Sequence, residues 1–140
     1  MRTDTAHAAW NTRWGTEAGR VGWQEADPEV AAVAEALRAS GAGAALDIGC
    51  GVGRHALLLA GMGFVVTAVD LAEEGLVELA RRAAAAGLEI ATRAAPMSAL
   101  PFPDAAFDYV LSFNVIYHGD GAIVRQTMAE VCRVLRPGST

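Results

Sequence analysis

Ala44-Ala45-Leu46-Asp47-Ile48-Gly49-Cys50-Gly51-Val52-Gly53-Arg54-His55 is the stretch that decides how the rest of the chain is read. It begins as a short apolar strand, passes an acid and opens onto glycines at alternate positions. The apolar run Ala56-Leu57-Leu58-Leu59-Ala60 follows with a helical pattern. Strand, glycine turn and helix in that order form a seat for the polar end of a small ligand. Glycine takes positive φ and lets the backbone approach without a Cβ in the way, while the helix offers free N–H groups at its amino terminus.

Working outward, 140 residues make one domain with a real core. A hydrophobic content of 53% and a charged content of 19% exclude a disordered chain. A net charge of −5 argues against a general nucleic-acid or anionic-membrane binder. All eleven basic residues are arginine, which removes lysine Schiff-base chemistry and the phosphate-binding lysine of a P-loop. Cys50 and Cys132 stand far apart with no metal-ligand spacing, so no metal site is expected. With neither a signal peptide nor an apolar run of spanning length, a soluble cytoplasmic protein is expected.

Residues 1–26 form a segment of their own, in which Trp10, Trp14 and Trp23 concentrate the aromatic content. It reads either as a leader packing its indoles on the domain or as an aromatic flap over a ligand pocket. Residues 27–140 are the domain proper. Asp27-Pro28-Glu29 starts a helix that stops at Gly41. Strands are expected over 44–48, 64–69, 88–92 and 107–113, with helices over 54–62, 72–86 and 121–135 between and after them. Asp120 is placed to cap the last helix, and the proline-punctuated run 96–103 is too irregular to be one. This alternation means a parallel sheet with right-handed crossovers. Ligands of such sheets bind beyond the carboxyl ends of the strands, where the order reverses. The glycine turn, Asp70, the 95–99 segment and Phe113–His118 therefore share one rim.

A dinucleotide fingerprint places its third glycine at position 54, which is Arg54; here it stands at Gly53, giving G-x-G-x-G. Asp70, closing the second strand, is placed to accept from both hydroxyls of a ribose. At these residues a family resemblance appears. Leu46 to Gly53 resembles the first motif of class I S-adenosylmethionine-dependent methyltransferases, and Asp70 falls where that family places its ribose-binding acid. Leu100-Pro101-Phe102-Pro103-Asp104 through Phe107-Asp108 resembles the segment before their fourth strand. Leu135-Arg136-Pro137-Gly138 resembles the turn after the helix that follows it. The likeness is to the small-molecule "methyltransferase 11" kind and covers residues 27–138.

The resemblance implies a Rossmann-like three-layer αβα fold with sheet order 3-2-1-4. The last three strands of the family's seven-stranded sheet are missing, so the chain is expected to be incomplete at its carboxyl end. A second copy or a partner would otherwise have to cover the open edge of the fourth strand. The cofactor implied is S-adenosyl-L-methionine, held by Asp47, Gly49, Cys50, Gly51, Gly53 and Asp70. Leu71, Met97 and Phe113 flank it, because Ala94-Ala95-Pro96-Met97 lacks the acid that relatives turn toward the adenine. Asp70 with Glu73 also spells a helix-capping pattern, and Cys50 reads as a space-filler that offers its N–H. His55 reads as a packing or surface residue.

In the resembled fold the loop after the fourth strand faces the acceptor. His118 and Tyr117 are the candidate catalytic pair, with Asn114 beside them and Trp10 and Trp14 covering the site. The expected reaction is methyl transfer to a small-molecule acceptor by in-line displacement, with alignment and desolvation as the protein's main contribution. Two rivals stand beside it. One is a non-catalytic cofactor-binding fragment or interaction module; the other is an NAD(P)-dependent oxidoreductase, which the early third glycine disfavours.

Overall fold

The computed structural model describes residues 3–22, 25–113, 115–116 and 120–140. Trp23, Asn114, Tyr117 and His118 lie outside the described residues.

The chain folds as α1 (Thr3–Trp14), α2 (Glu17–Arg20), α3 (Pro28–Ala39), β1 (Ala44–Ile48), α4 (Arg54–Gly61), β2 (Val65–Asp70), α5 (Glu73–Ala86), β3 (Ile90–Ala94), β4 (Tyr109–Leu111) and α6 (Gly121–Val134). The strands form one sheet in the order β3-β2-β1-β4, and every pairing is parallel. This is the Rossmann-like order expected from the resemblance. It puts β1 in the middle, so the chain leaves it at the point where the order reverses.

The caps explain the helix starts. The Asp27 side chain accepts from the Glu29 N–H at 2.8 Å ahead of Pro28, and Asp120 accepts from the Ile123 N–H at 2.9 Å. Each satisfies one of the free donors of a first turn. Gly87 closes α5 at φ 69°. The Leu88 N–H then bonds back to the Ala83 carbonyl, which draws Leu88 and Glu89 into the helix exit. Strand β3 therefore begins at Ile90 rather than at Leu88. Strand β4 is also shorter than expected, because Phe107 pairs only as an isolated bridge with Leu135.

Alternating side chains divide the sheet between two apolar layers. Ala45, Val66, Ala68, Tyr109 and Leu111 meet Leu59 of α4 and Leu79 of α5 in the larger one. Leu46, Ile48 and Val69 meet Leu100, Phe107 and Val134 in the smaller one. The smaller layer is roofed by α6 and the proline-punctuated segment, which Arg133 clamps by donating to the carbonyls of Leu100 and Phe102. Beyond β4, the Val110 N–H donates to the Thr140 carbonyl at 3.0 Å and the Thr140 N–H reaches the Asp108 carbonyl at 3.4 Å. This is parallel pairing by a single residue on the free side of β4.

The segment before Asp27 is helical in α1 and α2, and α1 packs on α5. Neither cysteine is in a disulfide: Cys50 is buried, and Cys132 is exposed on α6. Among the described residues no helix is long and apolar enough to cross a membrane, and no cluster of His, Cys, Asp or Glu is arranged to hold a metal ion.

Candidate cofactor site

The turn after β1 is held from below. The N–H groups of Gly49 and Cys50 both donate to the Val69 carbonyl, at 2.8 and 3.1 Å. The Cys50 N–H is therefore committed to the sheet rather than offered to a ligand. Gly49, Gly51 and Gly53 have φ of 68°, 57° and 90°, a region where side chains are strained. A Cβ on Gly49 would come within 2.5 Å of Val115, and one on Gly53 would run into Leu79. The glycines are thus required by the turn and its neighbours, before any ligand is considered.

Two carboxyls flank this turn. Asp70 accepts from the Gly51 N–H through Oδ2 at 2.9 Å and from the Ala72 N–H through Oδ1 at 2.8 Å. The capping pattern with Glu73 does not form, because the N-cap of α5 is Ala72, with no side-chain cap bond. The free donor of Glu74 is taken instead by Asn11 Oδ1 of α1, at 2.8 Å. Asp47 is buried, 3% exposed. It accepts from the N–H of Ala56 in the first turn of α4, which the glycine N-cap Gly53 cannot serve. Burial first and the Asp70 charge second push Asp47 up to about 8, against the pull of the Ala56 N–H and Arg54. A buried acid near neutrality beside an accepting carboxylate favours a cationic ligand group.

Cys50 fills space in the turn. Burial, with Asp47 and Asp70 adding to it, pushes its thiol well above the usual range, which makes it no nucleophile. His55 is buried against Phe113 with ring centroids 5.0 Å apart. Its Nε2 accepts from the Asp27 N–H at 3.1 Å. Burial above all, then Arg54, lowers it to about 4 despite Asp27, so it is a neutral packing residue.

The apolar flanks divide. Leu71 stands at the rim, 42% exposed. Phe113 packs on the larger layer, with the Arg54 guanidinium 5.4 Å from its ring centre. Met97 packs on the smaller layer, across the sheet from Phe113, so the two are not brought together. Ala95 is buried and its N–H reaches the Asp70 carbonyl at 3.3 Å.

Trp14 is the tryptophan that meets the turn. It is 4% exposed, stacked on Trp10 with ring centroids 5.1 Å apart, and packed with Val52 and Ala72. Gly75, Asn11, Arg20 and Glu78 surround this contact and were missed in the sequence. The only local signal was Gly75, a glycine in the first turns of an otherwise good helix.

The chain is similar to known proteins in sequence and in fold. The profile of the family described as "Methyltransferase domain" matches residues 45–138. The ubiquinone biosynthesis O-methyltransferase of Caulobacter vibrioides is 40% identical over 95 residues, covering 66% of this chain and 36% of that protein. The solved 1,6-didemethyltoxoflavin-N1-methyltransferase of Burkholderia thailandensis, with S-adenosylhomocysteine bound, is 28% identical with a TM-score of 0.78. That match covers 96% of this chain and 58% of the other. A protein of Pyrococcus horikoshii is 30% identical with a TM-score of 0.72, over 79% of this chain and 49% of that one. The chain spans about a third of the length of the curated relatives it matches.

Proposed function

The chain belongs to the methyltransferase-domain family, and from that premise we propose that it binds S-adenosyl-L-methionine and transfers its methyl group to a small-molecule acceptor. The observation that carries this reading is the left-handed glycine turn with its Gly51 N–H on Asp70 and the buried Asp47 behind it. The residues fit the cofactor. A carboxylate has about four acceptor sites, so serving two backbone donors is compatible with Asp70 accepting from a ribose diol. Asp70 brings a carboxylate to the turn, and Asp47, which burial keeps largely protonated, can give up its proton when a sulfonium and an ammonium come to rest there. Gly49, Gly51 and Gly53 present backbone without side chains.

When bound, S-adenosyl-L-methionine supplies an electrophilic methyl group for in-line displacement. The chain supplies alignment and exclusion of water. Leu71 at the rim and the backbone of the 94–97 segment flank the adenine side, with Met97 behind them. Phe113 borders the other end. His118 and Tyr117, with Asn114, remain the candidates that face the acceptor and take its proton. Trp10 and Trp14 stand over the turn as part of the N-terminal segment 1–26, and residues 27–140 form the cofactor-binding domain. A reducing cytoplasm is the proposed location, supported by two cysteines outside any disulfide. A second copy or a partner beside β4 remains part of the proposal.

Calorimetric titration of the full chain tests the reading. Binding of S-adenosyl-L-methionine and S-adenosylhomocysteine with no heat from NADH is the expected result. NADH binding without either sulfur nucleotide overturns it.

A further inference from the structure

Gly51 is gripped from two sides by parts of the chain that lie outside the turn. A Cβ on Gly75 of α5 would stand 2.7 Å from the Gly51 carbonyl oxygen and 2.9 Å from Trp14 Cδ1. A Cβ on Gly51 itself would stand 3.1 Å from Trp14 Cζ2. The indole therefore lies against both glycines, and only their missing side chains let α5, the turn and α1 approach this closely.

The indole is held in place by two fasteners to α5. Asn11 accepts from the Glu74 N–H at 2.8 Å, anchoring α1 one turn before Trp14. Arg20 Nη1 donates to the Trp14 carbonyl at 2.7 Å, and its Nε lies 3.8 Å from Glu78 Oε1. Glu78 is buried, 8% exposed, and is itself fixed by Arg81 at 2.7 Å and Arg82 at 3.0 Å. A side chain locked by packing and by charge-assisted hydrogen bonds keeps its neighbour in one geometry. The family profile begins at residue 45, so Trp14, Asn11 and Arg20 all lie before it.

We propose that Trp14 is a positioning residue of the cofactor site, wedged by the Arg20–Glu78 pair against Gly51 and Gly75 so that the Gly51 N–H stays on Asp70. The N-terminal segment is then part of the site's frame and not a flap that opens over it. With the wedge loosened, Gly51 samples other conformations, and the Asp70 carboxylate loses its fixed direction toward the ribose. This role rests on the cofactor reading above.

The test uses the full chain with Trp14→Ala, Trp14→Phe, Glu78→Gln and the control Val77→Ala, on the exposed face of α5. Titration with S-adenosylhomocysteine is expected to show affinity about tenfold weaker for Trp14→Ala and Glu78→Gln, largely restored in Trp14→Phe and unchanged in Val77→Ala. Amide exchange at Gly51, read without cofactor, is expected to speed up in the two weakened variants while Leu46 and Val69 exchange as in the wild type. A purely structural role would instead speed exchange throughout the sheet. Wild-type affinity and wild-type Gly51 exchange in Glu78→Gln overturn the wedge, even if Trp14→Ala fails to fold. A wild-type chain that ignores S-adenosylhomocysteine overturns the cofactor reading and with it the purpose given to the wedge.

Discussion

Asp108, just before β4, and Asp47, near the end of β1, sit at opposite ends of the sheet, where they receive opposite treatment. At the amino-terminal end, Asp108 Oδ2 accepts from the N–H groups of Gly43 and Ala44 at 2.8 and 3.0 Å. Its Oδ1 meets Arg136 at 2.6 Å. The two backbone donors first, and Arg136 after them, lower Asp108 to about 2. At the carboxyl-terminal end, Asp47 has lost water and faces another carboxylate, and it rises to about 8. One end has its charges matched within the chain and serves stability. The other brings two carboxyls together, one of them buried and holding its proton, and a cationic ligand there would ease the ionisation of Asp47.

Four measurements would break or sharpen this contrast. Gly53→Ala carries the largest effect, because it adds strain at φ 90° to a collision with Leu79. It is expected to lower unfolding stability by about 3 kcal/mol, read by chemical denaturation; a loss below about 1 kcal/mol would mean that the turn yields. Asp70→Ala is expected to weaken S-adenosylhomocysteine binding about a hundredfold, some 2.7 kcal/mol, with the fold retained by circular dichroism. Unchanged affinity would remove Asp70 from the ribose.

Asp47→Asn separates the two ends by pH. A carboxyl that holds its proton more tightly when folded makes stability fall as pH climbs from 3.8 toward about 8. Asp47→Asn is therefore expected to melt about 5 °C above the wild type at pH 8, with the gap closing toward pH 4. It should also bind the cofactor more weakly. A variant that melts no higher than the wild type at pH 8 would show that Asp47 is not strained by burial. Asp108→Asn has the smallest effect and the opposite sign. Its charged form stabilises the fold above pH 3.8, and that contribution fades as pH falls toward about 2. A loss of about 1 kcal/mol at pH 7 is expected, given the partly exposed Arg136 partner, with no loss near pH 2. A variant as stable as the wild type at pH 7 would make the stitched end decorative.

What the sequence made legible was local. The glycine turn, the caps of Asp27 and Asp120 and the strand alternation each depend on residues a few positions apart, and each is present as read. The 3-2-1-4 order followed from the family likeness and from crossover handedness. The illegible parts are contacts between distant segments. Thr3–Trp14 shows no apolar stripe along its length, so nothing announced a helix; apart from Trp10, Trp14 is buried by Gly51, Val52, Ala72 and Gly75, far along the chain. Asp70 looked like half of a capping box, but Asn11 of α1 supplies the donor's partner. Met97 and Phe113 read as flanks of one cofactor, and they pack on opposite apolar layers, each beyond the end of its strand.

Cys50 makes the glycine turn measurable with a reagent. It is buried inside the turn and burial holds its thiol protonated, whereas Cys132 stands exposed on α6. A thiol-specific label at neutral pH should therefore modify Cys132 first and Cys50 only when the turn opens. The second labelling rate is then a clock on that opening, and a ligand that seals the rim should slow it.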